Sequence, residues 1–250
     1  KIFNKYFLFK IVLLLLCVRS FNVYADVLSL KAFYQKEDVS LDNVIDGDTI
    51  LLKNGKYVRF IGIDTPEIRK KINGKWIEVW EPFSREAFEF NKRLLIGRKI
   101  RLEYDFELKD NYERDLCYVY AGGIFVNEAI LKEGLAFPYL RNKKIKHYLK
   151  LKTAFLEAVK QKKNLYKNNL KYEKDLKKFL NQEVFFEGVI NNIYSGKDLT
   201  EIVFDRLIVV TKDVNKKLKK GYYLYIYGKL IQKQGRFLLI ADPKKIFYLD

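Results

Sequence analysis

Two aspartates flank a glycine in "VIDGDTILL", residues Val44 to Leu52, and an apolar run follows them. Asp46-Gly47-Asp48 has the composition of a tight turn, since Asp tolerates unusual backbone angles and Gly takes positive φ without strain. It also has the composition of a metal site. Downstream, "RFIGIDTPE" adds Arg59, Asp64, Thr65 and Glu67, and "YERD" adds Arg114. Each alone has an ordinary structural reading: an Arg on a strand snorkels to solvent, and "DTPE" suits a loop that starts a helix. Together they supply the carboxylates and guanidiniums that metal-assisted phosphodiester hydrolysis needs.

The reaction explains the residue types. A phosphodiester is an anion that repels hydroxide, and its pentavalent transition state gathers further charge on the equatorial oxygens. A hard cation held by carboxylates and carbonyl oxygens offsets that charge. Bidentate Arg adds directed donors to phosphate oxygens, and a Glu can accept a proton from the attacking water or orient it. Removing one such contact costs about 3–4 kcal/mol of transition-state stabilisation.

Counting excludes other chemistries. His147 is the only histidine, so neither a two-histidine ribonuclease-type pair nor a zinc site with several His or Cys ligands can be built. An EF-hand loop fails because Ile50 stands where a ligand is needed. His147 itself, in a lysine-rich run, reads as a surface residue.

The elements that must carry these residues are legible as patterns. "VSLDNVI", "TILLK" and "YVRFIGI" read as strands, with Asn54-Gly55 as a hairpin signal between the last two. "EPFSREAFEFNKRLLIG" reads as a helix with Pro82 near its start and Gly97 as its stop. Two more strands, "KIRLEYDFEL" and "DLCYVYAGGIFV", precede a short helix, "VNEAILKEGLA". Five strands with a helix between the third and fourth is the order of a small Greek-key OB-type barrel. A mainly β protein with helices (α+β) is therefore expected, with Cys117 as a small core residue. After Leu180 the chain offers short β runs with Gly breaks and a hairpin tip at Gln234-Gly235, read as a second small OB-like β-domain. Its aromatics suit either a barrel core or base stacking.

The 250 residues carry a net charge of +17, which favours acidic partners, nucleic acid first and anionic membrane second. Hydrophobic content of 49% excludes a disordered chain. The charge concentrates between Arg141 and Leu180, where Leu151, Phe155, Leu156, Val159 and Leu165 fall at helical spacing. That basic helix suits solvation or sequence-independent attraction to phosphates. At the start, Lys1, Lys5 and Lys10, the run "IVLLLLCV" and then Ala25 form a secretory signal, with cleavage expected after Ala25. The apolar stretch is shorter than the roughly 20 residues of a membrane span. No lasting membrane anchor, and secretion or export to a periplasm, are the expectations.

The set "VIDGDTILL…YVRFIGIDTPE…EPFSREAFEFNKRLL…DNYERDLCYVY…VNEAILKEGLAFPY" resembles the staphylococcal nuclease (thermonuclease) family over about residues 39–166. The resemblance implies a nuclease domain at 26–168 behind the signal peptide at 1–25. A basic linker at 169–180 and the β-domain at 181–250 would follow. It further implies Ca2+ bound by Asp48, Asp64 and the carbonyl of Thr65, with Asp46 in support. Glu67 would act on the nucleophilic water, Arg59 and Arg114 would bind phosphate, Tyr112 would contact a nucleotide phosphate and Tyr139 would flank a base. The implied reaction cleaves DNA or RNA as an endonuclease of low sequence specificity and leaves 3′-phosphate ends. A catalytically weak nucleic-acid-binding protein on the same scaffold is the alternative, and a monomer is expected in either case. Glu113 stands where the family usually has glycine, and Asp115 follows Arg114. A turn needing positive φ would be strained at Glu113, and both acids would oppose a phosphate.

Overall fold

The computed structural model describes residues 36–140, 143–170, 173–212 and 218–248. The expected signal segment at 1–25 lies outside the described residues. In the first half, β1 (Lys36–Val39) and β2 (Leu41–Val44) are separated by Ser40 alone, and β3 (Thr49–Leu52), β4 (Tyr57–Phe60) and β5 (Ile63–Asp64) follow. A hairpin, β6 (Arg69–Ile72) and β7 (Lys75–Glu78), precedes helix α1 (Ser84–Leu95). Then come β8 (Ile100–Lys109), β9 (Asp115–Ala121), β10 (Ile124–Phe125), α2 (Val126–Lys132), β11 (Phe137–Pro138) and α3 (Tyr148–Lys160).

Leu52 and Lys56 pair across the Asn54-Gly55 turn, and Gly55 takes φ +82°, as the hairpin signal required. Helix α1 buries Ser84, Ala87, Asn91 and Leu95, a stripe at three- and four-residue spacing. Its start lacks a side-chain cap; instead Phe83 adopts φ 69°.

The first sheet runs in the order β1-β8-β9-β4-β3-β2, with β4 parallel to β9. Its two ends are the halves of one segment bent at Ser40. No ladder joins β1 to β2 among the described residues, so the strand order is open at that bend.

The second half repeats this wiring. It comprises β12 (Asn169–Leu170), β13 (Glu183–Val189), β14 (Asn192–Ser195), β15 (Thr200–Val203), β16 (Leu207–Thr211), β17 (Tyr223–Lys233) and β18 (Arg236–Phe247). The order is β12-β13-β17-β18-β16-β15-β14, with β16 parallel to β18. Strands β13 and β14 are again two halves of a bent segment: Ile190 N–H donates to Tyr222 on one side and Asn191 N–H to Val203 on the other. In both sheets the bent first strand pairs with the second and fourth, and the third runs parallel to the fifth. Asn169–Leu170, expected as linker, instead forms a parallel ladder with Phe185 and Phe186, so the second sheet begins before residue 181.

Each sheet has its own apolar cluster. The first gathers Ile50, Val58, Phe60, Leu102, Tyr118, Ile130, Leu151 and Phe155. The second gathers Val184, Phe186, Ile202, Val209, Leu224, Ile226 and Leu239. Phe185, Tyr227 and Phe247, although carried by the second sheet, belong to the first cluster, so the halves are joined by packed aromatic rings. Leu151, Phe155, Val159 and Leu165 of the basic segment are buried as their spacing requires, and Cys117 is a buried free thiol.

His147 is not on the surface. It directly precedes α3, its side chain is 21% exposed, and its ring stands 4.5 Å from that of Tyr118 and 5.0 Å from that of Phe125. Burial lowers its pKa, with Glu103 at 3.3 Å acting in the opposite sense. Neighbouring lysines suggested solvent, but Lys146 itself pairs with buried Glu103.

Candidate active site

The β2–β3 turn and the β4–β5 corner face each other, and Asp48 joins them. It is buried, and its Oδ2 accepts from the Thr65 backbone N–H at 2.6 Å and the Thr65 hydroxyl at 3.0 Å. The opposite oxygen, Oδ1, accepts from the Thr49 hydroxyl at 3.2 Å. Asp46 braces the turn by accepting the Asp48 N–H at 3.0 Å. Gly47 is needed for close approach: a Cβ there would lie 2.7 Å from Thr65 and 2.8 Å from Ala87 of α1. Asn91, one turn further along α1, donates to the Asp46 carbonyl at 3.0 Å and fixes the loop from below.

Arg59 on β4 lies between two of the acids. Its Nη1 is 2.9 Å from Asp48 Oδ2 and its Nη2 is 2.5 Å from Asp64 Oδ1. It also donates to the Ile63 carbonyl at 2.9 Å. Burial opposes its charge, but Asp48, Asp64, Asp46 and Glu67 outweigh that and raise its pKa. For the acids the balance runs the other way. Burial, then the charge of Asp48, pushes Asp46 well above the usual carboxylate range. Burial and Asp48 also raise Asp64, against the pull of Arg59. Glu67 reaches solvent at the rim, yet crowding by protein and by Asp48 and Asp64 pushes its carboxyl up to about 7.

Four acids against one guanidinium leave a surplus of negative charge. That surplus, two carboxylates sharing one guanidinium and the adjoining backbone of Thr65 form a donor set suited to a hard oxygen-seeking cation. No group of three or more His, Cys, Asp or Glu stands at metal-holding spacing among the described residues, so a third protein donor would come from a carbonyl such as that of Thr65.

Arg114 approaches from the β8–β9 turn. Asp110 accepts from its Nε at 2.8 Å, and its Nη1 reaches the Thr49 hydroxyl at 3.4 Å, one hydrogen bond away from Asp48. Tyr112 is 80% exposed, with the Arg114 guanidinium 5.5 Å from its ring centre. Glu113 holds φ 62°, the left-handed conformation that its glycine-like position demands, and pairs with Lys109 at 2.8 Å. Asp115 is buried on β9 and paired with Lys56 at 3.4 Å, so its charge is partly met within the protein. Tyr139 stands beyond β11, its N–H donating to the Gly62 carbonyl at 2.9 Å. Asp46, Asp48, Arg59, Asp64, Thr65 and Glu67 thus meet in one place, Arg114 and Tyr112 border it, and Tyr139 lies at the neighbouring strand end. A concavity of about 600 Å³ between Asp38–Asp42 and Leu95–Lys99 shares no residue with the site.

Sequence reasoning missed Glu81, which accepts the Glu67 N–H at 3.0 Å and also pairs with Lys70 at 2.6 Å and Lys245 at 3.5 Å. No local motif marks it, because its partners stand 11, 14 and 164 residues away.

Residues 57–168 match the family described as staphylococcal nuclease homologue. The thermonuclease of Staphylococcus hyicus is 42% identical over 128 residues, covering 50% of this chain and 73% of that protein. The chain belongs to the staphylococcal nuclease homologue family. A second relative, the thermonuclease of Staphylococcus intermedius, is 38% identical over 133 residues, 52% of this chain and 76% of that protein. The SPbeta prophage-derived endonuclease YokF of Bacillus subtilis is 37% identical over 137 residues, 53% of this chain and 45% of that protein. As a staphylococcal nuclease homologue the chain is a hydrolase of the nuclease type. The family match begins at Tyr57, at the start of β4, so it takes in Arg59, Asp64, Thr65, Glu67 and Arg114 and stops short of Asp46 and Asp48.

Proposed function

We propose that this protein is a secreted or periplasmic calcium-dependent endonuclease that cuts DNA, RNA or both with low sequence specificity and leaves 3′-phosphate ends. One observation carries the reading: Arg59 lies between Asp48 and Asp64, a single guanidinium among acids that outnumber it. Asp48, Asp64 and the Thr65 carbonyl would hold the calcium ion, with Asp46 fixing the turn. When bound, the ion supplies positive charge to the phosphate and to its transition state. Glu67, its pKa raised toward neutrality, is suited to accept a proton from water. Arg59 and Arg114 would orient the phosphate with directed donors. Tyr112, exposed beside Arg114, would meet a nucleotide phosphate, and Tyr139 a base.

The scaffold reading goes with it. The bent β1–β2 segment and its partners act as a five-stranded OB-type barrel, and the identically wired second sheet acts as an OB-like module of its own. A catalytically weak nucleic-acid-binding protein is the second reading, favoured by the left-handed Glu113 and its added negative charge next to Arg114. Digestion separates the two. Single- and double-stranded DNA and RNA are incubated with the chain in calcium or chelator, and product ends are identified. Calcium-dependent cleavage to 3′-phosphates is expected; binding without cleavage would transfer the argument to the second reading.

A further inference from the structure

The acids of the site repel the phosphates that flank the one being cut. The segment that carries them offers little compensation: residues 26–140 hold 18 basic and 20 acidic groups. Cations for the neighbouring phosphates can also come from outside that segment, and β18 of the second sheet carries two, Lys244 and Lys245. Asp64 is the ladder partner of Phe137. The Phe137 ring stacks on Phe247 of β18 at 5.9 Å and 18°, and packs on Tyr227 of β17 at 5.1 Å. Lys245 sits over both the Phe137 and Tyr227 rings, at 5.3 and 5.4 Å, and its Nζ is 3.5 Å from Glu81, the residue that holds the Glu67 N–H. The C-terminal end of β18 is thereby fixed against the strand and loop that carry Asp64 and Glu67.

Lys244 is the neighbour of this anchored residue. It is exposed, its N–H donates to Asp242 Oδ1 at 2.8 Å, and no carboxylate pairs with its ammonium among the described residues.

We propose that the second sheet completes the substrate channel, with Lys245 as the anchor and Lys244 as a phosphate-binding cation for the nucleic-acid strand beside the cleaved position. This rests on the nuclease reading of the site and adds to it a role for the C-terminal module: the catalytic module grips its polyanion in part through a lysine lent by the neighbouring sheet.

The test uses the full chain carrying Glu67→Gln, with calcium present and a fluorescein-labelled single-stranded DNA, and reads anisotropy across a KCl series. Each phosphate contact on a single strand contributes about 0.7 to the slope of log affinity against log salt. Lys244→Gln is expected to lower the slope by about that amount. Lys197→Gln, in the β14–β15 turn of the same sheet, is expected to leave it unchanged. Equal slopes for the two variants, whether both reduced or both unaltered, overturn the proposal, because the charge of Lys244 would then be generic or idle. Wild-type cleavage is measured alongside. If DNA is bound with the Lys244-dependent slope but not cut, the nuclease reading falls and the channel stands; if no version binds DNA, both fall.

Discussion

Replacing Arg59 with Gln removes the one guanidinium between Asp48 and Asp64. The side chains of Asp48 and Asp64 are 6% and 25% exposed, and that of Arg59 is 14% exposed. Removing one partner of a buried ion pair costs about 3–5 kcal/mol, because the other charge is left uncompensated. The partial exposure of Asp64 puts this case near the lower end, about 3 kcal/mol. For a chain of this size that corresponds to a fall in Tm of about 6–12 °C. Far-ultraviolet circular dichroism of the full chain reads the melting, since Trp76 and Trp80 are both exposed in the folded state and change their surroundings little on unfolding. Calcium is expected to raise the Tm of Arg59→Gln more than that of the wild type, since the freed carboxylates bind the ion without a competing cation. At a hundredfold excess over Kd such binding contributes about 2.7 kcal/mol. A variant within about 0.5 kcal/mol of wild type, or an equal calcium shift in both, would refute the view that Arg59 balances a cation site.

Glu67→Gln is expected to lower calcium-dependent cleavage about 10²–10⁴-fold while sparing DNA binding, measured by single-turnover cleavage and anisotropy; unchanged cleavage removes Glu67 from its assigned role. Gly47→Ala drives a methyl group into Thr65 and Ala87, at a cost of about 1–3 kcal/mol; a urea midpoint equal to wild type would contradict that packing. Glu113→Gly relieves a left-handed Glu at the loss of one exposed pair with Lys109. The net is a gain of up to about 1 kcal/mol, and a loss of similar size would show the turn unstrained. His147, with its pKa lowered by burial, contributes fully to stability above pH 6.5. Below that pH the unfolded chain takes up a proton that the native ring refuses, and the contribution is lost as pH falls toward the native pKa. His147→Gln is expected to flatten this part of the urea-midpoint profile, and a profile as steep as wild type would exclude the residue.

Much of the site was legible because its chemistry sits in short runs. The DGDT turn, the DTPE loop and the Arg on the strand between them are close in sequence, and the β4–β5 corner folds them onto one another. The hairpin tips at Gly55 and Gly235 were equally legible, since positive φ at a tight hairpin tip selects few residue types. The β6–β7 hairpin carried the same Asn-Gly signal at Asn73-Gly74, yet its strands are exposed throughout and show no alternation to find. Long-range partners left no local trace. Asn91 reads as one more polar helix residue until its bond to the Asp46 carbonyl is seen, and Asn127, which accepts from Val119 and donates to Ile61, reads the same way. Glu81 and Lys245 are 164 residues apart. Phe137, Tyr227 and Phe247 are aromatics whose partners the sequence does not name, so the joining of the two sheets beside Asp64 could not be read from either half alone.

The most direct test of convergence on one phosphate is a double-mutant cycle between Glu67 and Arg114, read as single-turnover cleavage of a short single-stranded DNA in calcium. Groups that serve one transition state are strongly non-additive. Glu67→Gln and Arg114→Gln are each expected to cost at least about a hundredfold, and the double variant is expected to be little slower than the worse single one. Penalties that multiply in full would place the two side chains at independent tasks, and single variants as fast as wild type would remove them from the reaction altogether.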